Sequence, residues 1–285
     1  MTAAHPVPTF LSVLLRGLLA GLVAGLIAGT FAYFAGEPRI DAAITIEEQA
    51  THSEPGTGED HHEDELVSRN GQRAGLFLAT GLFGVAMGGL LATAYVLLRR
   101  RLRTADDGRA ALLLAGGALL GAVVVPFLKY PANPPAVGNP DTINQRTGSY
   151  LLLVVLGLVA VWAAALGYRA VRPDAPEWQR GAAAVGGFLL VTAVSYIVLP
   201  TFHEVPEDFP ATLLWNFRLA SLGTQVVLWT GIGLLFAALL TWSGGGRSGG
   251  GGRDRRQVAD RLAGSADGPG ETDEARNGVD APVRP

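Results

Sequence analysis

The chain has 285 residues, 49% of them apolar and only 16% charged, with a formal net charge of −3. Soluble globular domains carry about 25% charged residues, so an ordinary soluble fold is disfavoured, and nothing in the balance offers nucleic acid a basic surface. Cysteine is absent, which excludes disulfides and thiolate metal centres.

In chain order, apolar stretches run over residues 10–34, 74–98, 110–128, 150–168, 181–199 and 219–242. Each approaches or exceeds the ~20 residues that carry a helix across hydrocarbon. Lipid offers no partner to an unpaired main-chain N–H or C=O, so each stretch is expected to be an α-helix. The fold class is therefore all-α, a polytopic helical membrane protein with about six transmembrane helices. Glycine is abundant, at 38 residues. In a membrane, small residues let helices approach closely, and Gly17, Gly21, Gly25 and Gly29 show the four-residue spacing of a contact face.

The first stretch has a second reading, a cleaved signal peptide, which would leave five spans. Its apolar run of about 25 residues exceeds the ~7–15 of a signal core. Its end, Phe31-Ala32-Tyr33-Phe34-Ala35, lacks a small-x-small site, so it is read as a retained span.

Between the first two stretches, residues 37–72 read as an acidic loop with ten acidic residues against two arginines. It contains Glu59-Asp60-His61-His62-Glu63-Asp64-Glu65. Imidazole and carboxylate suit divalent cobalt, nickel and zinc, and dense charge of one sign concentrates its counter-ion. His61 and His62 are thus candidate metal ligands in a cation collector. The bland alternative is a solvated acidic segment.

The turns after the second and fourth stretches are arginine-rich (Arg99, Arg100, Arg101, Arg103 and Arg109; Arg169, Arg172 and Arg180), as is the start of the tail. Cytoplasmic loops carry the excess of Lys and Arg. Both termini are therefore placed in the cytoplasm and the acidic loop outside. Residues 1–242 form the membrane domain, and 243–285, Gly-rich and then mixed in charge, read as a disordered cytoplasmic tail.

Two further outer segments carry chemistry. Residues 126–146 form a proline-rich stretch in which Asp141, Asn144 and Gln145 supply oxygens. Residues 199–210 add His203, Glu204, Glu207 and Asp208, and run into Asn216 and Arg218 at the start of the last span. Arg218, Ser221 and Gln225 lie three and four residues apart and so share one helical face. Polar groups within a span commonly line a pathway. Arg218 would either snorkel to the interface or pair with Glu207, Asp208 or Asp141. No H-E-x-x-H or phosphate loop occurs, so neither an enzyme nor an autonomous ATPase is expected, and no cofactor.

The strings P-F-L-K-Y-P-A-N-P-P-A-V-G-N-P-D-T-I-N-Q-R-T from Pro126 and L-P-T-F-H-E-V-P-E-D-F-P-A-T-L-L-W-N-F-R from Leu199 resemble the CbtA family, regarded as a cobalt transporter subunit. The resemblance implies an inner-membrane protein serving cobalamin synthesis, a divalent cation (Co²⁺) as cargo, and a small one-span CbtB-like partner with a histidine-rich motif. The family is described with five spans, whereas six are read here. The alternative function is a non-transporting scaffold or metal-sensing subunit that presents the cation to a partner.

Overall fold

The computed structural model describes residues 9–52, 69–102, 104, 106–135, 137–138 and 140–245. They form α1 (Phe10–Ala35), α2 (Glu37–His52), α3 (Arg69–Leu98), α4 (Asp107–Ala118), a π-helical segment (Leu119–Val124), α5 (Val125–Lys129), a 3-10 turn (Pro140–Thr142), α6 (Ile143–Ala170), α7 (Glu177–Val198) and α8 (Ala211–Gly245). No strand occurs among the described residues. The π segment joins α4 and α5 into one span, and among the described residues six helices are long and apolar enough to cross a bilayer. The protein is an all-helical, multi-pass membrane protein.

Helix contacts are made by small residues. On α1, Gly17, Gly21 and Gly25 face Gly88, Gly84 and Thr80 of the antiparallel α3. A Cβ added at Gly21 would stand 2.0 Å from the Gly84 carbonyl oxygen, and one at Gly88 would stand 2.1 Å from that of Gly17. No side chain fits there, so the two backbones touch. Gly121 of the π segment and Gly157 of α6 meet in the same way, and Gly167 of α6 approaches the Ala183 carbonyl of α7. In lipid, where burying apolar surface between helices gains little, such close packing supplies the attraction.

The buried side chains form two clusters. The larger joins α1, α3, α4 and α8 through Ala24, Leu91, Tyr95, Ala111, Ile232 and Phe236. Within it the Tyr95 and Phe236 rings meet edge to face at 5.5 Å. The smaller joins α5, α6 and the end of α7 through Val125, Leu153 and Leu199. Elsewhere the helices turn leucine, valine and isoleucine outward, as lipid-facing surfaces do; Ile197 of α7 is 83% exposed.

The connections fall at two ends. Arg169 at the end of α6 donates to the Arg101 carbonyl, 2.6 Å away, so the two arginine-rich turns share one end. Asp106 caps α4 there by accepting from the Gly108 N–H at 2.8 Å, and Arg99 pairs with Asp107 at 2.6 Å. At the other end the segment after α5 meets the segment after α7, where Tyr130 Oη donates to the Pro200 carbonyl at 2.5 Å.

Three sequence readings are corrected. Residues 37–52, read as loop, form α2. Pro38 sits in its first turn, where its fixed φ suits a helix, and alanine, glutamate and glutamine follow. Glu37 and Asp41 lie 3.5 Å from Arg73 of α3, so two acidic groups assigned to the collector are engaged in ion pairs. Secondly, Pro126–Lys129 is helical and Pro126 is fully buried. Proline has no N–H to give, and the π segment that precedes it changes the hydrogen-bond register. Thirdly, α6 begins at Ile143, so Asn144, Gln145 and Arg146 lie in its first turn. His61, His62 and residues 246–285 of the tail lie outside the described residues.

Candidate functional site

The proline-rich segment folds back because its ends are fastened. Lys129, at the end of α5, donates to the Tyr196 carbonyl at 2.9 Å and to Thr201 Oγ1 at 3.3 Å. Its ammonium also lies 5.5 and 5.8 Å from the Tyr130 and Tyr196 ring centres, within cation–π range. Tyr130 packs against Phe202, and burial pushes its phenol above the ordinary value. From the other side, Arg218 of α8 donates to the Ala132 carbonyl at 3.3 Å and to Asn133 Oδ1 at 2.9 Å.

A second fastening crosses to α6. Arg146 Nη1 stands 2.6 Å from Glu204 Oε2, and Thr142 Oγ1 donates to Glu204 Oε1. Both oxygens of this carboxylate are therefore engaged by protein. Neither partner is fully in water: the Glu204 side chain is 10% exposed and that of Arg146 29%.

These ties frame a cavity of about 1210 Å³. Its rim includes Tyr130, Thr201, Phe202, His203 and Glu204. Phe83 and Met87 of α3, Ala122 of the π segment and Tyr150 of α6 wall it. On α8 it is lined by Arg218, Ser221, Gln225 and Trp229, a run of about 16 Å at ~1.5 Å rise per residue. Among the described residues, the charged side chains lining it are Lys129, Arg146, Arg218 and Glu204, three cations to one anion. A smaller cavity of about 490 Å³ lies beside the rim at Gly138, Thr142, Thr201, His203 and Glu204. Gly138 has φ +134°, a conformation that strains any other residue, and Arg146 occupies the space beside it.

The sequence-predicted residues are brought together in part. His203, Glu204, Arg218, Ser221 and Gln225 meet at one cavity, and the three α8 residues share a face as their spacing implied. His203 is exposed on the rim. Glu207 and Asp208 lie exposed in a turn, and Asp141, Asn144 and Gln145 are exposed at the start of α6 and the turn before it. Neither cavity is lined by these five or by half-buried Asn216. The expectation that Arg218 pairs with Glu207, Asp208 or Asp141 is not met: its partners are the neutral oxygens of Ala132 and Asn133. Among the described residues no group of three His, Asp or Glu converges to hold a metal ion. Lys129, Asn133, Arg146 and Trp229 are site residues that sequence reading missed. One signal was present, since Lys129 is the only lysine in the chain.

The cavity is lined by four of the six spans, namely α3, the α4–α5 span, α6 and α8, with the two proline-rich segments, in a multi-pass membrane protein of the transporter-subunit class. The family described as "Probable cobalt transporter subunit (CbtA)" matches residues 10–241, so the chain belongs to the CbtA family. No curated protein and no solved structure shows a significant match to it.

Proposed function

We propose that the protein is the membrane subunit of a cobalt (divalent cation) uptake system of the cytoplasmic membrane, serving cobalamin synthesis. Cargo moves inward, with both termini and the arginine-rich turns in the cytoplasm. The observation that carries this reading is the cavity, which opens among the two proline-rich segments and descends α8 between spans. Its polar stripe, Arg218–Ser221–Gln225, follows the expected direction of travel. The orientation is supported by the shared end of the two arginine-rich turns and the charge rule for cytoplasmic loops. His203, with Glu207, Asp208, Asp141, Asn144 and Gln145 on the outer face, would replace water around an arriving cation. His61 and His62 would concentrate it from their acidic stretch. The remaining expectations stand with this reading: a disordered cytoplasmic tail, no cofactor and a small one-span CbtB-like partner.

Two observations favour a second reading, in which the chain is a scaffold that presents cation to a partner. The described residues hold no three-ligand metal group, and the cavity lining is cationic. Uptake of radioactive cobalt into proteoliposomes, with this chain alone and with the one-span partner, decides between them. Uptake by the chain alone supports the transporter. Uptake only with the partner supports the scaffold. No uptake in either case overturns the transport reading.

A further inference from the structure

We propose that the cavity is an anion site, and that the cation cargo reaches it as the negatively charged chelate of a small polycarboxylate rather than as a bare ion. The second clause rests on the uptake reading; the first does not.

The charge balance is the starting point. Lys129, Arg146 and Arg218 line the cavity against a single carboxylate, Glu204, which already accepts from Arg146 and Thr142. Lys129 and Arg218 are bonded only to neutral oxygens among the described residues. A bare dication in such a space meets these two positive charges and, among the described residues, no group of three His, Asp or Glu to hold it. The same two charges attract a carboxylate. A guanidinium has five N–H donors in a fixed fork that matches carboxylate. Arg218 spends donors on Ala132 and Asn133 and keeps others for a ligand. Ser221 and Gln225 follow on the same face and add hydroxyl and amide donors.

Size and wall chemistry point the same way. Pockets for small organic ligands run about 300–1,000 Å³, mostly apolar with a few placed polar groups. At about 1210 Å³, with Phe83, Met87, Tyr150 and Trp229 in its walls, this cavity is built to the scale of an organic body. A solitary ion would leave most of it filled with water.

The test uses the full chain in nanodiscs of zwitterionic lipid, with radiolabelled citrate as the polycarboxylate probe. Citrate and cobalt–citrate are expected to bind and compete, while cobalt chloride in chelator-free buffer does not displace citrate. Arg218→Gln is expected to weaken binding about tenfold, as loss of one charge-assisted hydrogen bond does. Arg218→Lys keeps the charge and retains most of the binding. If Arg218→Gln yields no monodisperse protein, Lys129→Met, which removes the other unpaired cation, carries the same expectation. Absence of citrate binding overturns the proposal, as does displacement by cobalt chloride alone. Citrate binding abolished in nanodiscs of anionic phospholipid would assign the site to a lipid headgroup and overturn it too. In proteoliposomes, citrate binding without cobalt uptake under any condition sinks the transport reading and leaves the anion site standing. Uptake of free cobalt that citrate only suppresses overturns the chelate and leaves transport standing.

Discussion

Arg146 and Glu204 stand 2.6 Å apart across the mouth of the cavity, joining the first turn of α6 to the segment that leads into α8. The pair closes a connection between residues 58 positions apart in the chain. Replacing Glu204 with Gln removes the carboxylate charge that the half-buried Arg146 guanidinium faces. The expected cost is about 2 kcal/mol, read as a lower melting temperature in detergent. Arg146→Gln should cost less when added to Glu204→Gln than alone, because the two act as a unit. Additive effects would show that the pair is not coupled.

The α1–α3 contact predicts a sharp difference between glycines of the same helix. Gly84→Leu places a side chain where the Gly21 carbonyl oxygen is 2.2 Å from the new Cβ, and should abolish monodisperse protein. Gly75, with nothing within 4 Å, should accept alanine and gain up to about 1 kcal/mol of helix stability. Equal behaviour of the two variants in size-exclusion chromatography would contradict the packing.

Because the chain has no cysteine, single cysteines report orientation cleanly. Asp174→Cys, in the turn between α6 and α7, is expected to resist an impermeant maleimide applied to whole cells. Glu207→Cys should react with it. The reverse pattern would invert the proposed topology.

His203 is exposed on the rim. His203→Ala should therefore lower cobalt uptake at limiting concentration, about tenfold or less, with the melting temperature unchanged. Deleting residues 51–65 tests the acidic collector in the same assay. If uptake at limiting cobalt is undiminished, the collector role is wrong.

The spans were legible in the sequence because hydrocarbon imposes one simple demand, length with apolarity. The stretch read as 74–98 is matched by the span Arg73–Leu98, and that read as 10–34 by Phe10–Ala35. The span read as 150–168 begins earlier, at Ile143, since Asn144, Gln145 and Arg146 are polar yet helical, and hydropathy cannot distinguish a helix that emerges from lipid from a loop. The shared face of Arg218, Ser221 and Gln225 was legible too, being set by local geometry. The partner of Glu204 was not, nor was that of Arg218. Those depend on which spans are neighbours, and helices apolar all round carry no stripe that names the neighbour. The π segment escaped notice because residues 110–128 read as one uninterrupted apolar stretch, although its Pro126 also opens the proline-rich segment. In a span, proline can instead be absorbed by a local change of helical register.

The glycine seam between α1 and α3 also has a mechanical consequence. Helices whose carbonyls sit in each other's glycine notches cannot slide by a turn or rotate without backbone collision. The pair behaves as a single stiff beam with a fixed register. Phe83 and Met87 of the cavity wall are carried on this seam, whereas a Cβ added at Gly223, Gly231 or Gly233 of α8 would first meet a side chain, of Phe31, Ala24 and Ala115 in turn, rather than main chain.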